Sequence, residues 1–349
     1  MNSPPVAPTA SRLLWLDVVR AVSIIAVVFG HVVADPAVRY VFLWRMPLFF
    51  FVAGYVFTPS PRLEQFARDK ALRLLVPYLV FLVPLSVPDF VATVRLGTPH
   101  DWLLFAMSHV SGGKSVYGWL VAVWFVTCLY VTLQMVNFGI TRLSPRAMNS
   151  AMGASLVLAY VNAQWLPWFW LPWAAHLCLF AAPILYLGHL YRRYEAQIPW
   201  QVLVMAALVA SLGFFLVWVH EIEVIDMKRM QYGTPFATLS FALCVSVLLI
   251  TFAKRWCHRG RAVRLLAYVG ESSLVILFMH QAIQRTLVEQ FQVENELVRI
   301  VAAVVVPTLA YALLKRRATT RALFLGSVKD FGSVRALFRS PRKRIGSGA

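Results

Sequence analysis

One apolar stretch, RLLWLDVVRAVSIIAVVFGHVVADPAVRYVFLWRMPLFFFVAGYVF (residues 12–57), reads as two helices, the first carrying Asp17, Arg20 and His31 within its apolar run and the second opening with Arg45. Ionisable groups are costly inside a membrane segment, so by default they mark a functional site. Arg20 and His31 stand eleven residues apart. At about 100° per residue this falls within roughly 20° of three full turns, so both lie on one stripe of a helix, about 16 Å apart along its axis. A neutral imidazole can accept the proton of a hydroxyl group, the general-base role. Arg45 lies about as far into the next helix, and it comes close to His31 if the two helices pair as a hairpin. A guanidinium there could hold a glycan or a developing oxyanion. The plainer reading of His31 is a histidine hydrogen-bonded between packed helices. For Asp17 and Arg20, one turn apart, it is a buried pair in which each charge neutralises the other. In the functional reading Arg20 lines a path from the cytoplasm and meets an anionic or carbonyl group.

Lys70 and Arg73, three residues apart in ARDKALRLLVPY, open a third apolar segment. They serve as boundary anchors, and they also suit a phosphate-rich nucleotide such as coenzyme A beside a membrane cavity. His280 and Gln281, in GESSLVILFMHQAI, make a second polar cluster expected at the depth of His31. Glu271 with Ser272 and Ser273 is expected to open that helix, where a carboxylate favours the helix dipole. The run WLPWFWLPW (residues 165–173) reads first as an interfacial aromatic belt and second as a stacking platform for a sugar. The chain has no GxSxG elbow, HExxH motif or Gly-rich phosphate loop, so nothing points to a hydrolase, zinc protease or nucleotidase. The four cysteines (Cys128, Cys178, Cys244 and Cys257) have no metal-ligand spacing and read as packing residues; no metal is expected.

These residues need a membrane scaffold, and the composition supplies one. The 349-residue chain is 60% hydrophobic and only 14% charged, whereas soluble domains run near half and a quarter. Ten apolar spans follow one another, at about 13–34, 41–58, 72–94, 116–137, 147–162, 171–190, 200–219, 235–253, 268–287 and 297–314. The third holds Pro77, Pro84 and Pro88 and is expected to kink. Val32-Val33-Ala34 loosely resembles a leader cleavage site, but charges interrupt the apolar run before it and another span follows at once; the first helix is expected to stay uncleaved. Of the 33 Lys and Arg residues, 24 fall on the N-terminal segment, the even-numbered loops and the C-terminal tail. Seven fall on the other side: Arg39, Arg95, Lys114, Lys228, Arg229, Arg285 and Arg299. The bias predicts an all-α polytopic membrane protein of about ten helices with both termini in the cytoplasm. It also makes the net charge of +18 a matter of topology rather than nucleic-acid binding. The loops near 35–40, 95–115, 163–170, 220–234 and 288–296 then face outward. Residues 1–11 are expected to be disordered, 12–317 to form the membrane domain, and 318–349 to form a basic cytoplasmic tail that fixes topology beside the membrane lipids.

Several separated segments together resemble the integral-membrane acyltransferase family 3, which includes sugar and polysaccharide O-acetyltransferases. They are LDVVRAVSIIAVVFGH, WRMPLFFFVAGYVF, KALRLLVPY, VWFVTCLYV and GESSLVILFMHQ. The most telling element is the arginine, ten residues and the histidine from Arg20 to His31. The resemblance spans nearly the whole chain and implies transfer of an acyl group, usually acetyl, from cytoplasmic acyl-CoA to a carbohydrate hydroxyl, in a bacterial inner membrane. Carried over by position, it makes His31 the catalytic histidine and Arg20 its partner. Lys70 and Arg73 match a basic pair on the donor side. Read from the residues themselves rather than from the resemblance, Arg45, His280 and Asp17 are expected to bind substrate. Two positions depart from the pattern: Ala53 stands where members often have serine, and Arg45 where members with MPLFFF commonly have histidine. A rival reading from another class is a transporter or flippase of a lipid-linked or acylated glycan, and a third is a membrane scaffold for envelope-polymer assembly.

Overall fold

The computed structural model describes residues 13–332 apart from 114, 115 and 117. The segment 1–11, Arg12, Lys114 and the end of the basic tail from residue 333 lie outside the described residues. The centre of the molecule is α1 (Leu14–Val32), two thirds of whose apolar window is buried inside the protein (67%). It ends where Val33 turns extended, just before Asp35-Pro36. The chain then makes a short α2 (Val38–Phe42), breaks at Trp44 and restarts as α3 (Arg45–Tyr55). Pro47 explains the restart: it has no N–H to give the preceding turn, and only the first turn of a helix tolerates that. One expected span, 41–58, is therefore two pieces, and Arg45 is the first residue of the second.

Two more breaks follow from composition. α4 (Leu63–Leu85) and α5 (Val87–Leu96) meet at a 42° bend, in the span expected to kink at its prolines. Residues 95–115, expected as a loop, instead contain α6 (Pro99–Ser111), capped by Thr98 and Asp101. α7 (Trp124–Arg142), α8 (Pro145–Trp165), α9 (Cys178–Tyr194) and α10 (Trp200–Trp218) follow. A two-residue-per-strand hairpin, β1 (Ile225–Asp226) and β2 (Gln231–Tyr232), pairs Ile225 with Tyr232 and Asp226 with Gln231. After α11 (Ala237–Trp256) come α12 (Arg261–Glu271) and α13 (Ser273–Glu289), bent 74° from each other at Gly270-Glu271-Ser272-Ser273. Poor helix formers there permit the turn. Glu271 thus ends α12 rather than opening a helix, and it accepts hydrogen bonds from Tyr311 (3.1 Å) and Lys315 (3.2 Å). α14 (Glu296–Leu314) and α15 (Ala318–Leu325) complete the described chain.

Among the described residues six helices are long and apolar enough to cross a membrane, giving up to eight spans if each bent pair is counted as one. The protein is an all-α integral membrane protein on this basis. All ten expected spans fall on helices, but two fall short of that description: α3 has 11 residues, and α8 is long enough yet studded with Asn149, Ser150, Ser155, Asn162 and Gln164. α10 and α14 lie at the periphery, with only 22% and 11% of their windows buried.

Hydrogen bonds between loops sort them onto two faces. Ala34 donates to Glu296 (3.0 Å), Arg39 to the Ile222 carbonyl (3.0 Å), Lys228 to the Val116 carbonyl (2.5 Å) and Trp173 to the Val110 carbonyl (3.1 Å). At the opposite face Tyr55 and Lys254 donate to Glu195 (2.8 and 2.6 Å), and Ser60 pairs with Asn137. Residues at the start of α1 and the end of α14 both pack near Gly270 and Glu271, so these two ends lie together. The expected tail begins as packed structure: Phe324 meets Phe81 edge-on at 5.3 Å, and Arg321 holds Asp330 through two hydrogen bonds.

Candidate active site

The two residues read from spacing lie at opposite ends of α1, each in a cavity. His31 faces one of about 420 Å³, lined also by Arg39, Arg45, Trp124, Asp226, Lys228 and Arg229. Arg45 is 5% exposed. Its guanidinium lies 3.5 Å over the Phe42 ring and donates a long 3.5 Å bond to the Val27 carbonyl, and its Nε has no hydrogen-bond partner among the described residues. Gly30 makes the room: a Cβ there would come within 2.0 Å of Arg45 Nη1. His31 and Arg45 thus share a cavity, as a helical hairpin requires.

His280 joins them from α13. It is fully buried, and its ring centroid is 5.4 Å from that of His31. Its Nδ1 contacts the carbonyls of Ile276 (2.9 Å) and Leu277 (3.0 Å). Carbonyls only accept, so Nδ1 carries the hydrogen and, in the neutral ring, Nε2 is the acceptor. Gln281, also buried, is turned toward Gln284 (3.0 Å).

At the other end Arg20 lines a narrower cavity of about 280 Å³ with Lys70 and the apolar side chains of Phe49, Val52, Phe125 and Leu277; Ala53 is on the same wall. Lys70 and Arg73 together line an open hollow of about 550 Å³ with Arg62 and Asp69, which shares Lys70 and Val56 with the Arg20 cavity. Lys70 thus joins Arg20 of α1, with Arg73 in the adjoining hollow. Asp17 is buried and accepts from Arg20 at 3.1 Å, and its backbone carbonyl packs against Gly270 of α12. That places Asp17 as the group that orients and neutralises Arg20. Between the two cavities stand Phe49 and Phe125, ring centroids 5.4 Å apart, with Phe50 5.1 Å from Phe125. Trp124, next to Phe125 in the chain, and Met46, one turn before Phe49, line the His31 side.

The hairpin residues Asp226, Lys228 and Arg229 were not legible as site residues. Lys228 is largely buried, and burial, opposed by Asp226 and aided by Arg229, pushes its ammonium down to about 8. A signal did exist. Three of the seven cations on the sparse side of the charge count, Arg39, Lys228 and Arg229, converge on this one cavity. The aromatic run 165–173 is largely exposed (Trp165 70%, Trp168 71%), as an interfacial belt requires. Among the described residues no group of three or more His, Cys, Asp or Glu could hold a metal ion.

No curated protein and no solved structure matches the chain. A family model described as an acyltransferase domain matches residues 13–317, from the first turn before α1 to the end of α14, and so takes in both cavities and the helix joining them. The protein is an integral-membrane acyltransferase and belongs to acyltransferase family 3.

Proposed function

We propose that the protein transfers an acyl group, acetyl foremost, from cytoplasmic acyl-CoA to a hydroxyl of a cell-envelope or exported carbohydrate, in a bacterial inner membrane with both termini in the cytoplasm. The observation that carries this reading is that one helix lines both cavities, a cation-edged apolar one at Arg20 and a polar one at His31. Lys70 and Arg73 hold the phosphates of the donor, and the apolar walls beside Arg20 take its acyl-bearing arm. His31 removes the proton of the acceptor hydroxyl as that oxygen attacks the thioester carbonyl. The C–O bond forms, the C–S bond breaks, and the thiolate of CoA leaves and takes up the proton. In the two-step version His31 itself carries the acyl group between donor and acceptor. Arg45 faces the charge that develops on the carbonyl oxygen or the acceptor. His280, its ring 5.4 Å from that of His31 and its Nε2 without a hydrogen-bond partner among the described residues, offers an acceptor beside the acceptor hydroxyl. The test supplies radiolabelled acetyl-CoA to the purified protein in nanodiscs containing membrane glycan. Label in the glycan with the wild-type protein and none with His31→Ala supports the reading. Full transfer by His31→Ala overturns the role of His31. Glycan movement without acyl transfer would establish the transporter instead.

A further inference from the structure

Four cations, Arg39, Arg45, Lys228 and Arg229, line the His31 cavity against a single carboxylate, Asp226. That carboxylate lies 3.6 Å from Arg229. The cations form a gradient of depth. Arg229 is mostly exposed (77%), Lys228 is partly buried, and Arg45 at 5% exposure forms the wall beside His31. Burying a guanidinium costs several kcal/mol unless an opposite charge or a full set of hydrogen bonds compensates it. Arg45 has a ring face, one 3.5 Å carbonyl contact and an unpartnered Nε. Elsewhere the chain does supply such compensation: Arg20 has Asp17 at 3.1 Å and Arg321 has Asp330 at 2.9 Å. The excess also sits on the face that is otherwise poor in Lys and Arg, so topology does not account for it.

We infer that the His31 cavity takes an acceptor bearing an anionic group, a phosphate or a sugar carboxylate, which adds negative charge opposite the buried Arg45 in a cavity whose described lining sets one carboxylate, Asp226, against four cations. This rests on the reading of the cavity as the acceptor site. The geometry suits a bidentate guanidinium contact at depth, with a ring of cations at the mouth to draw the anion in. The charged group then lies between Arg45 and the hairpin, and the hydroxyl to be acylated lies toward His31. A neutral glycan would add no charge opposite Arg45 and would gain little from the other three.

The test is thermal unfolding of the full-length protein in nanodiscs with CoA saturating, so that the Lys70 end is already filled. Pyrophosphate and glucuronate are titrated separately, with glucose as the neutral control. A ligand at tenfold its dissociation constant raises the unfolding midpoint by about 3 °C. The expected result is a rise with pyrophosphate or glucuronate and none with glucose. Pyrophosphate alone would name phosphate as the group, and glucuronate alone a uronic carboxylate. The rise should disappear in Arg45→Gln and in Arg229→Gln while CoA still shifts both variants, which shows that they fold. No rise with either anion up to millimolar concentrations overturns the inference, as does a rise that survives in both variants or is lost in Lys70→Gln. Failure of the transfer reading looks different: acetyl-CoA neither binds nor is consumed, yet the anions still bind through Arg45 and Arg229.

Discussion

The two ends of α1 treat a guanidinium in opposite ways. At one end Arg20 has its own carboxylate, Asp17, on the same helix at 3.1 Å. At the other, Arg45 is almost wholly buried against Phe42 and a distant carbonyl, with Gly30 absent of a side chain to leave it space. A charge neutralised from within the fold is held in place and costs little. A buried charge left open is an expense the fold bears for a ligand or a transition state. We propose on this ground that Arg20 and Asp17 hold their cavity in shape and that Arg45 acts with His31 on the reacting group.

Substitution should pull the ends apart. Arg45→Met keeps the bulk of the side chain and removes the charge. It should lower acyl transfer about 10²–10³-fold, the usual cost of losing one donor to a developing oxyanion, while thermal unfolding in nanodiscs stays at or above the wild-type midpoint. A folding defect in Arg45→Met would break the comparison at once. Asp17→Ala should do the reverse, destabilising by about 1–3 kcal/mol because Arg20 loses its partner in a partly exposed setting, as read by unfolding of the purified protein. Gly30→Ala is subtler. The new methyl meets the far end of Arg45 rather than any backbone, so the fold should survive while transfer drops about tenfold as the guanidinium shifts.

The smallest effect is the pH response of the His31 cavity. Lys228 loses its proton above about 8, well below the ordinary lysine value of 10.5, because burial disfavours its charge. The groups lining that cavity with it are Asp226 and Arg229 on its own hairpin, Arg39 from α2, Arg45 from α3 and His31 from α1; His280 from α13 stands beside His31. An anionic acceptor should therefore bind a few-fold more weakly as pH rises through 8, and Lys228→Arg should flatten that dependence. For stability the sign is opposite. Between about 8 and 10.5 the unfolded chain holds the proton that the folded one has released, so this group's contribution rises with pH.

Spacing alone made the face shared by Arg20 and His31 legible, since eleven residues close on three turns in any straight helix. The sorting of loops onto two faces was legible too, because hydropathy and charge both record it. The hairpin was not. Strands of two residues leave no periodicity to read, and Lys228 and Arg229 come to His31 across nearly two hundred residues of chain. The breaks were half legible: prolines announced the bend between α4 and α5 but also hid the restart at Arg45, where Pro47 turns one expected span into two. Glu271 was misplaced for a related reason, because Gly270 through Ser273 reads as a helix start and folds as a 74° corner.

The most direct measurement is equilibrium binding of CoA to the wild-type protein, to His31→Ala and to the double variant Lys70→Ala/Arg73→Ala, all in nanodiscs. Division of labour along α1 predicts wild-type affinity for His31→Ala and a loss of about tenfold or more for the double variant. CoA binding that fails in His31→Ala and survives in Lys70→Ala/Arg73→Ala would contradict it, placing the donor at the wrong end of the helix.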